Sequence, residues 1–177
     1  ANYDKFPSTK LAGMLVQGWD AIISVLKKQM DARKVLAVDL YTGVYEEEVL
    51  DAFSKEFSGK VMNVRDLMKP EQEIQTLTER FMTEDVLFGY VTNLKLEDYF
   101  DADKLAAAQK QISEAEDTIV IIGTGAAMVA PQDAMIVYAD MARWEIQQRF
   151  RRHEVKALGR RGSTAFWWRT SSSGYRP

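Results

Sequence analysis

Three short stretches of the chain carry residue types that could handle a ligand. The first, Asp39-Leu40-Tyr41-Thr42-Gly43-Val44-Tyr45, joins an apolar run to a helical one. A phosphate-binding loop belongs at such a junction, because helix N-terminal amides and a lysine cradle phosphate oxygens there. The pattern that builds one, G-x-x-x-x-G-K-[ST], is missing. Gly43 is the single glycine of the loop, no lysine follows it, and Glu46-Glu47-Glu48 open the helix. Three carboxylates suit the positive end of a helix dipole and repel a phosphate placed there. The plain reading is a helix start; the ligand-binding reading keeps Asp39 as a candidate acid, base or magnesium ligand, with Thr42 and Gly43 in the same bend. The second stretch is Gly123-Thr124-Gly125-Ala126-Ala127. Two glycines after an apolar strand permit an amide nest for an anion, or simply a strand-to-loop turn. The third is Tyr138-Ala139-Asp140-Met141-Ala142-Arg143-Trp144-Glu145. Arg143 falls in the first turn of a helix that follows a strand, so its guanidinium can reach a crevice and grip a phosphate or carboxylate bidentately. The competing role is a surface ion pair. Glu145 and Arg149, four apart, read as an ordinary helix-surface pair worth a few tenths of a kcal/mol.

Other chemistries are excluded by residue count. The 177 residues include one histidine and no cysteine. A cysteine nucleophile, a thiolate metal site, a disulfide and a two-histidine metal site within one chain all fall away. Nothing supports a Ser-His-Asp triad, and His153, in a charged helical stretch, reads as a solvated surface residue. No catalytic residue and no metal ligand is therefore nominated. From Arg143 to Pro177, eight arginines and one lysine oppose Glu145 and Glu154, about +7, which leaves about −10 on the other 142 residues. Such a split can mark an anion-facing end or a solvated basic helix with a loose tail. Trp167 and Trp168 beside those arginines could stack on single-stranded nucleic acid. A pI near 5.3 and the lack of a recognition motif argue against nucleic acid as a partner.

Hydrophobic periodicity supplies the elements that must position these groups. Trp19, Ile22, Ile23, Leu26 and Met30 predict a helix over 17–31, and Val35 to Leu40 a buried strand. Val49, Leu50, Phe53 and Phe57 predict a helix over 45–57, closed by Ser58-Gly59, and Lys60 to Val64 a second strand. Pro70 opens a helix with Ile74, Leu77 and Phe81 on one face. Residues 86–90 read as a short strand and 94–99 as loop. Asp101 caps a helix over 102–115, Thr118 to Ile122 and Ala134 to Tyr138 are strands, and Asp140 caps a last helix over 141–156. Strands separated by helices imply right-handed crossovers. The expected fold is α/β and three-layered, with a mainly parallel sheet of four or five strands and helices on both faces. Residues 1–158 form the domain, and 159–177, rich in arginine, serine and glycine, a tail or linker. At 46% apolar the chain can bury a substantial core. It has no apolar run of about 18 residues to span a membrane and no signal-peptide layout at its start, so a cytoplasmic protein with no membrane partner is expected.

Several stretches resemble one family. Tyr3-Asp4-Lys5-Phe6-Pro7, Gly18-Trp19-Asp20-Ala21-Ile22-Ile23, Val38 to Val49 and, most strongly, Val137-Tyr138-Ala139-Asp140-Met141-Ala142-Arg143-Trp144-Glu145-Ile146-Gln147 look like the N-terminal region of the long bacterial proteins named as class I mannose-6-phosphate isomerases. The resemblance covers roughly residues 3–158. It implies an α/β domain ahead of a cupin-type isomerase domain and a place in carbohydrate metabolism. The zinc site of that isomerase belongs to the cupin barrel, so the resemblance implies no cofactor, metal or isomerase residue for this chain. A second likeness concerns architecture. The late strand Ala134 to Tyr138 feeding the Arg143 to Arg152 helix is similar to the uridine kinase and phosphoribulokinase group of P-loop kinases, in which arginines after that strand help hold phosphates. Without the glycine-lysine-serine loop, this implies a P-loop-kinase-like domain with a degenerate phosphate site. The sequence thus points to a non-catalytic domain binding a phosphorylated small molecule, a sugar phosphate or nucleotide, through Asp39, Thr42, Gly43, Gly123, Thr124, Gly125, Asp140 and Arg143. The alternatives are a sugar or nucleoside kinase with Asp39 or Asp140 as base, and a structural domain whose exposed aromatics dock on a cupin domain or a second copy.

Overall fold

A computed structural model of the chain describes residues 7–10, 12–13, 15–30, 33–83 and 89–159. The strand expected at 86–90 falls largely outside these residues, as do the 160–177 stretch with Trp167 and Trp168 and most of Tyr3 to Pro7. The chain divides into two compact units, Ala1–Asp31 and Ala32–Pro177. The first contains one helix, α1 (Trp19–Met30), whose Ile23, Leu26 and Met30 are buried. Asp20 in its first turn and Lys27 and Lys28 in its last complement the helix dipole.

The second unit alternates strands and helices. In chain order they are β1 (Val35–Leu40), α2 (Glu46–Glu56), β2 (Lys60–Asn63), α3 (Glu71–Glu79), α4 (Ala102–Ser113), β3 (Ile119–Gly123), α5 (Ala126–Val129), β4 (Met135–Ala139) and α6 (Arg143–Arg151). The four strands form one sheet in the order β2-β3-β1-β4, and every pairing is parallel. β1 and β3 are internal and read as continuous apolar runs because both of their faces are covered. Alternate residues of the strands serve the two faces. Val35, Ala37, Ile119 and Ile121 join one core cluster with Ala108 and Ile112 of α4 and Ala126 and Val129 of α5. Leu36, Val38, Leu40, Val120 and Ile122 point the other way and are equally buried. There α2 packs across β2 and β3, with Val49 and Phe53 buried one turn apart. The protein is therefore α/β, with a parallel sheet between helical layers.

The end signals of the helices act locally. The Asp101 carboxylate accepts from the amides of Asp103 and Lys104, both at 3.1 Å, and starts α4 where the sequence expects. Asn63 does the same for a 3₁₀ turn at Val64–Leu67, accepting from Arg65 N at 2.8 Å. A second 3₁₀ turn at Leu96–Tyr99 replaces the expected loop. α3 stops at Glu79, so Phe81 lies in the turn after it instead of on its face. The last helix is shorter than its periodicity suggests. It runs from Arg143 to Arg151, its N-cap is Ala142, and Asp140 spends its carboxylate on the amide of Met141 at 2.7 Å. His153 ends it by entering the left-handed region at φ 57°.

Phe53 is 1% exposed and stacks on Phe57 with ring centroids 5.7 Å apart. Truncating it leaves a cavity between α2 and the sheet. The expected cost of Phe53→Ala is about 3–5 kcal/mol, read as a lower midpoint in urea at unchanged slope. A loss below about 1 kcal/mol would mean that α2 does not hold that face of the sheet.

Candidate functional site

Open parallel sheets bind ligands beyond the carboxyl ends of their strands. In this fold the corresponding place is an open cleft of about 640 Å³ past the end of β1. The β1–α2 loop and the start of α2 form one wall; Asn63, Arg65 and Asp66 form another, and residues 154–158 complete it.

Asp39, the residue before the end of β1, turns its carboxylate toward α5. Its two oxygens accept from Gly125 N at 3.2 Å and Ala127 N at 2.9 Å, the amides that open α5. The glycine bend after β3 is thus folded as an amide nest, and a side chain of the chain itself fills it. Thr124 supports the same junction by donating its hydroxyl to Leu40 O at 2.8 Å. Gly123 is required for the approach: it sits at φ 137°, and a Cβ there would come within 2.8 Å of Val64 Cβ. Gly123, Thr124, Gly125 and Asp39 are therefore brought together as predicted, but as a structural joint between β1 and β3. Each oxygen of Asp39 holds one of these amides, and one oxygen of Asp140 accepts from its neighbouring amide.

The arginines sort differently from the sequence expectation. Arg143 is exposed, makes no hydrogen bond or ion pair among the described residues, and does not line the cleft. Arg149, read as half of a surface pair, is the arginine that turns inward. It keeps the Glu145 pair at 3.3 Å, donates to Gly43 O at 2.9 Å, and lies 3.6 Å from the centroid of the Tyr45 ring. Gly43 makes room for this contact: at φ 96°, a Cβ on it would sit 3.0 Å from Ile146 of α6. Arg152 bonds Glu145 at 3.0 Å and Glu154 at 2.7 Å, and Tyr45 donates its hydroxyl to Glu154 at 2.7 Å. One network ties α6 to the β1–α2 loop. It engages Arg149 and Arg152 but not Arg143.

Across the cleft, Arg65 grips Glu46 side-on, Nε at 3.1 Å from both carboxylate oxygens and Nη2 at 2.6 Å from one. The pair is half-buried, and bonding to Glu46 raises the pKa of Arg65 further, so the guanidinium stays charged and occupied. The cleft is then lined by five carboxylates, Glu46, Glu47, Glu48, Asp66 and Glu154, against Arg65 and Lys156. Like charges 4 Å apart repel by about 1 kcal/mol in water and about 4 kcal/mol near a protein surface. A bare phosphate is disfavoured by that balance. Among the described residues no three carboxylate or histidine side chains converge to hold a metal ion. Among the described residues, Thr42, Glu47 and Lys156 line the cleft without a side-chain hydrogen bond or ion pair of their own, and remain available to a ligand. Of the predicted site residues, Thr42, Gly43 and Thr124 line the cleft; Glu47 and Lys156 carried no sequence signal beyond charge.

A family model described as a domain of unknown function (DUF8485) matches residues 18–167. No curated protein and no solved structure matches the chain. Among the described residues no helix is long and apolar enough to cross a membrane.

The network carries a pH signature. Hydrogen bonds from Arg152 and then Tyr45 pull the pKa of Glu154 from 4.5 down to about 2, and Arg152 and Arg149 lower that of Glu145. A carboxylate depressed in the folded state adds stability above its unfolded pKa and loses it as pH falls through the folded one. Stability should therefore decline between about pH 4.5 and pH 2. Glu154→Gln should flatten that decline in urea titrations across the window; an unchanged slope would mean that the network does not form.

Proposed function

We infer that this chain, which belongs to the DUF8485 family of domains of unknown function, binds a small polyhydroxylated molecule of the sugar class without transforming it. One observation carries the reading. The cleft lies at the carboxyl end of β1, where α/β sheets bind ligands, and presents unengaged Thr42, Glu47 and Lys156 within a carboxylate-rich wall. Carboxylates accept strong charge-assisted bonds from hydroxyl groups, at about 2.5–2.7 Å. A hydroxyl-rich neutral ligand satisfies such a wall; a phosphate does not. On this reading the ligand is the unphosphorylated counterpart of the phosphorylated molecule that the sequence implies.

The likeness to the N-terminal region of mannose-6-phosphate isomerase-like proteins supports a place in carbohydrate metabolism. On that reading a zinc-dependent cupin domain in the same polypeptide carries the catalysis, this domain carries recognition, and both work in the cytoplasm. The likeness to P-loop kinases contributes architecture alone: a parallel sheet, a late strand β4, and an arginine-rich α6.

Titration calorimetry with mannose, sorbitol, mannose 6-phosphate and magnesium ATP tests the reading. A neutral hexose or polyol should bind, and mannose 6-phosphate should bind more weakly than mannose. Glu47→Gln should weaken the neutral ligand by about tenfold or more, since a hydrogen bond to a charged group is worth about 1.5–3 kcal/mol. Tighter binding of the phosphate ester, or no heat from any neutral sugar, would refute it.

A further inference from the structure

The two edges of the sheet are finished differently. β2 is four residues long and opens on exposed Lys60, two of the devices that blunt an edge against pairing. β4 has neither. Its five residues, Met135-Ile136-Val137-Tyr138-Ala139, contain no charge, no proline and no glycine, and among the described residues it pairs with β1 alone. Ala139 O accepts from Tyr41 N at 2.9 Å, so the polar groups of residues 135, 137 and 139 turn inward to β1. By the alternation of a strand, the N–H and C=O groups of Ile136 and Tyr138 face the open edge. The side chains of the same two residues are 49% and 60% exposed. Tyr41, 47% exposed, extends the patch by an edge-to-face contact with Tyr138 at 6.4 Å between ring centroids.

We propose that β4 is the interface between two copies of this chain, which pair antiparallel along that edge and continue the sheet from one copy into the other. The pattern of free groups fits its own two-fold image. An axis through Val137, normal to the sheet, sets Ile136 opposite Tyr138 of the second copy and Tyr138 opposite its Ile136. Both are then mutually hydrogen-bonded pairs, and Val137 faces its own image as the intervening non-bonded pair, the alternation that an antiparallel ladder requires. The aromatic and β-branched side chains meet directly across the strands, a favourable cross-strand combination. Charge also fits. Asp133 precedes β4 and Arg143 follows it, both exposed and neither with a hydrogen bond or ion pair among the described residues. Antiparallel pairing brings Arg143 of one copy to the same end of the ladder as Asp133 of the other, beside its own Asp140, so one guanidinium stands between two carboxylates at each end. The interface is isologous and closes on itself, which limits assembly to a dimer.

Sedimentation equilibrium on the full 177-residue chain tests this. The wild type should sediment with twice its 20.2 kDa mass at micromolar concentration. Ile136→Lys combined with Tyr138→Lys should give the monomer mass with an unchanged far-ultraviolet circular dichroism spectrum, since both side chains are exposed. Arg143→Asp should weaken the dimer by tenfold or more, and adding Asp133→Arg should restore it. A wild-type monomer throughout the concentration range, a dimer that survives the double lysine variant, or a charge swap that fails to restore association would each overturn the proposal. Sugar binding in the cleft should persist in the lysine variant, so failure of the dimer leaves that reading untouched.

Discussion

The Asp39 carboxylate holds together the end of the sheet that borders the cleft. It lies next to the end of β1 and receives the amides of Gly125 and Ala127, at the start of α5, while Thr124 returns a hydroxyl to Leu40 O. β1 and β3 are paired along their length, but their carboxyl ends would otherwise diverge into separate loops. A charged acceptor bonding two backbone donors is about twice as strong as a neutral bond of the same kind. Removing it would strand the part-buried amide of Gly125, at a desolvation cost of about 1–3 kcal/mol. The bend that could have cradled an external anion is therefore closed by an internal one. The cleft itself opens past the end of β1.

Charge follows a similar economy. A basic stretch from Arg143 to Pro177 facing an acidic remainder could have produced a site for phosphates. The fold instead folds α6 back onto the β1–α2 loop, and Arg149 and Arg152 meet Glu145, Glu154 and the Tyr45 ring. Exposed ion pairs are individually weak. This group is different in kind because each member has two or more partners, so ordering one side chain serves several contacts. The outcome is a cleft in which Arg65 is committed to Glu46 and five carboxylates outnumber Arg65 and Lys156, a surface suited to hydroxyl groups.

Much of the architecture was legible in the sequence, for identifiable reasons. β1 and β3 are buried on both faces, and an unbroken apolar run of five or six residues has few other stable forms. α2 and α4 declare themselves by apolar residues at helical spacing, and Asp101 marks a start because its side chain acts within three residues. The errors arise where a distant partner decides. Charge and periodicity favour extending the last helix to residue 156, but Glu154 is drawn away to Arg152 and Tyr45, 109 residues earlier in the case of Tyr45, and the helix stops at Arg151. α5 is one turn long, too short for a period to register, and owes its start to Asp39.

The sequence by itself determined the α/β class, the succession of most strands and helices, and the loops at which a ligand site could form, because these follow from hydrophobic period and from turn chemistry acting over a few residues. The tertiary structure alone decided which groups are free to use those loops. Asp39, Arg65 and Arg149 look as available in the sequence as Glu47 or Arg143, and become unavailable only when strands far apart in the chain bring them their partners. Availability of a polar side chain is a property of its neighbours in space, and electrostatic pairing acts across distances that no local pattern records.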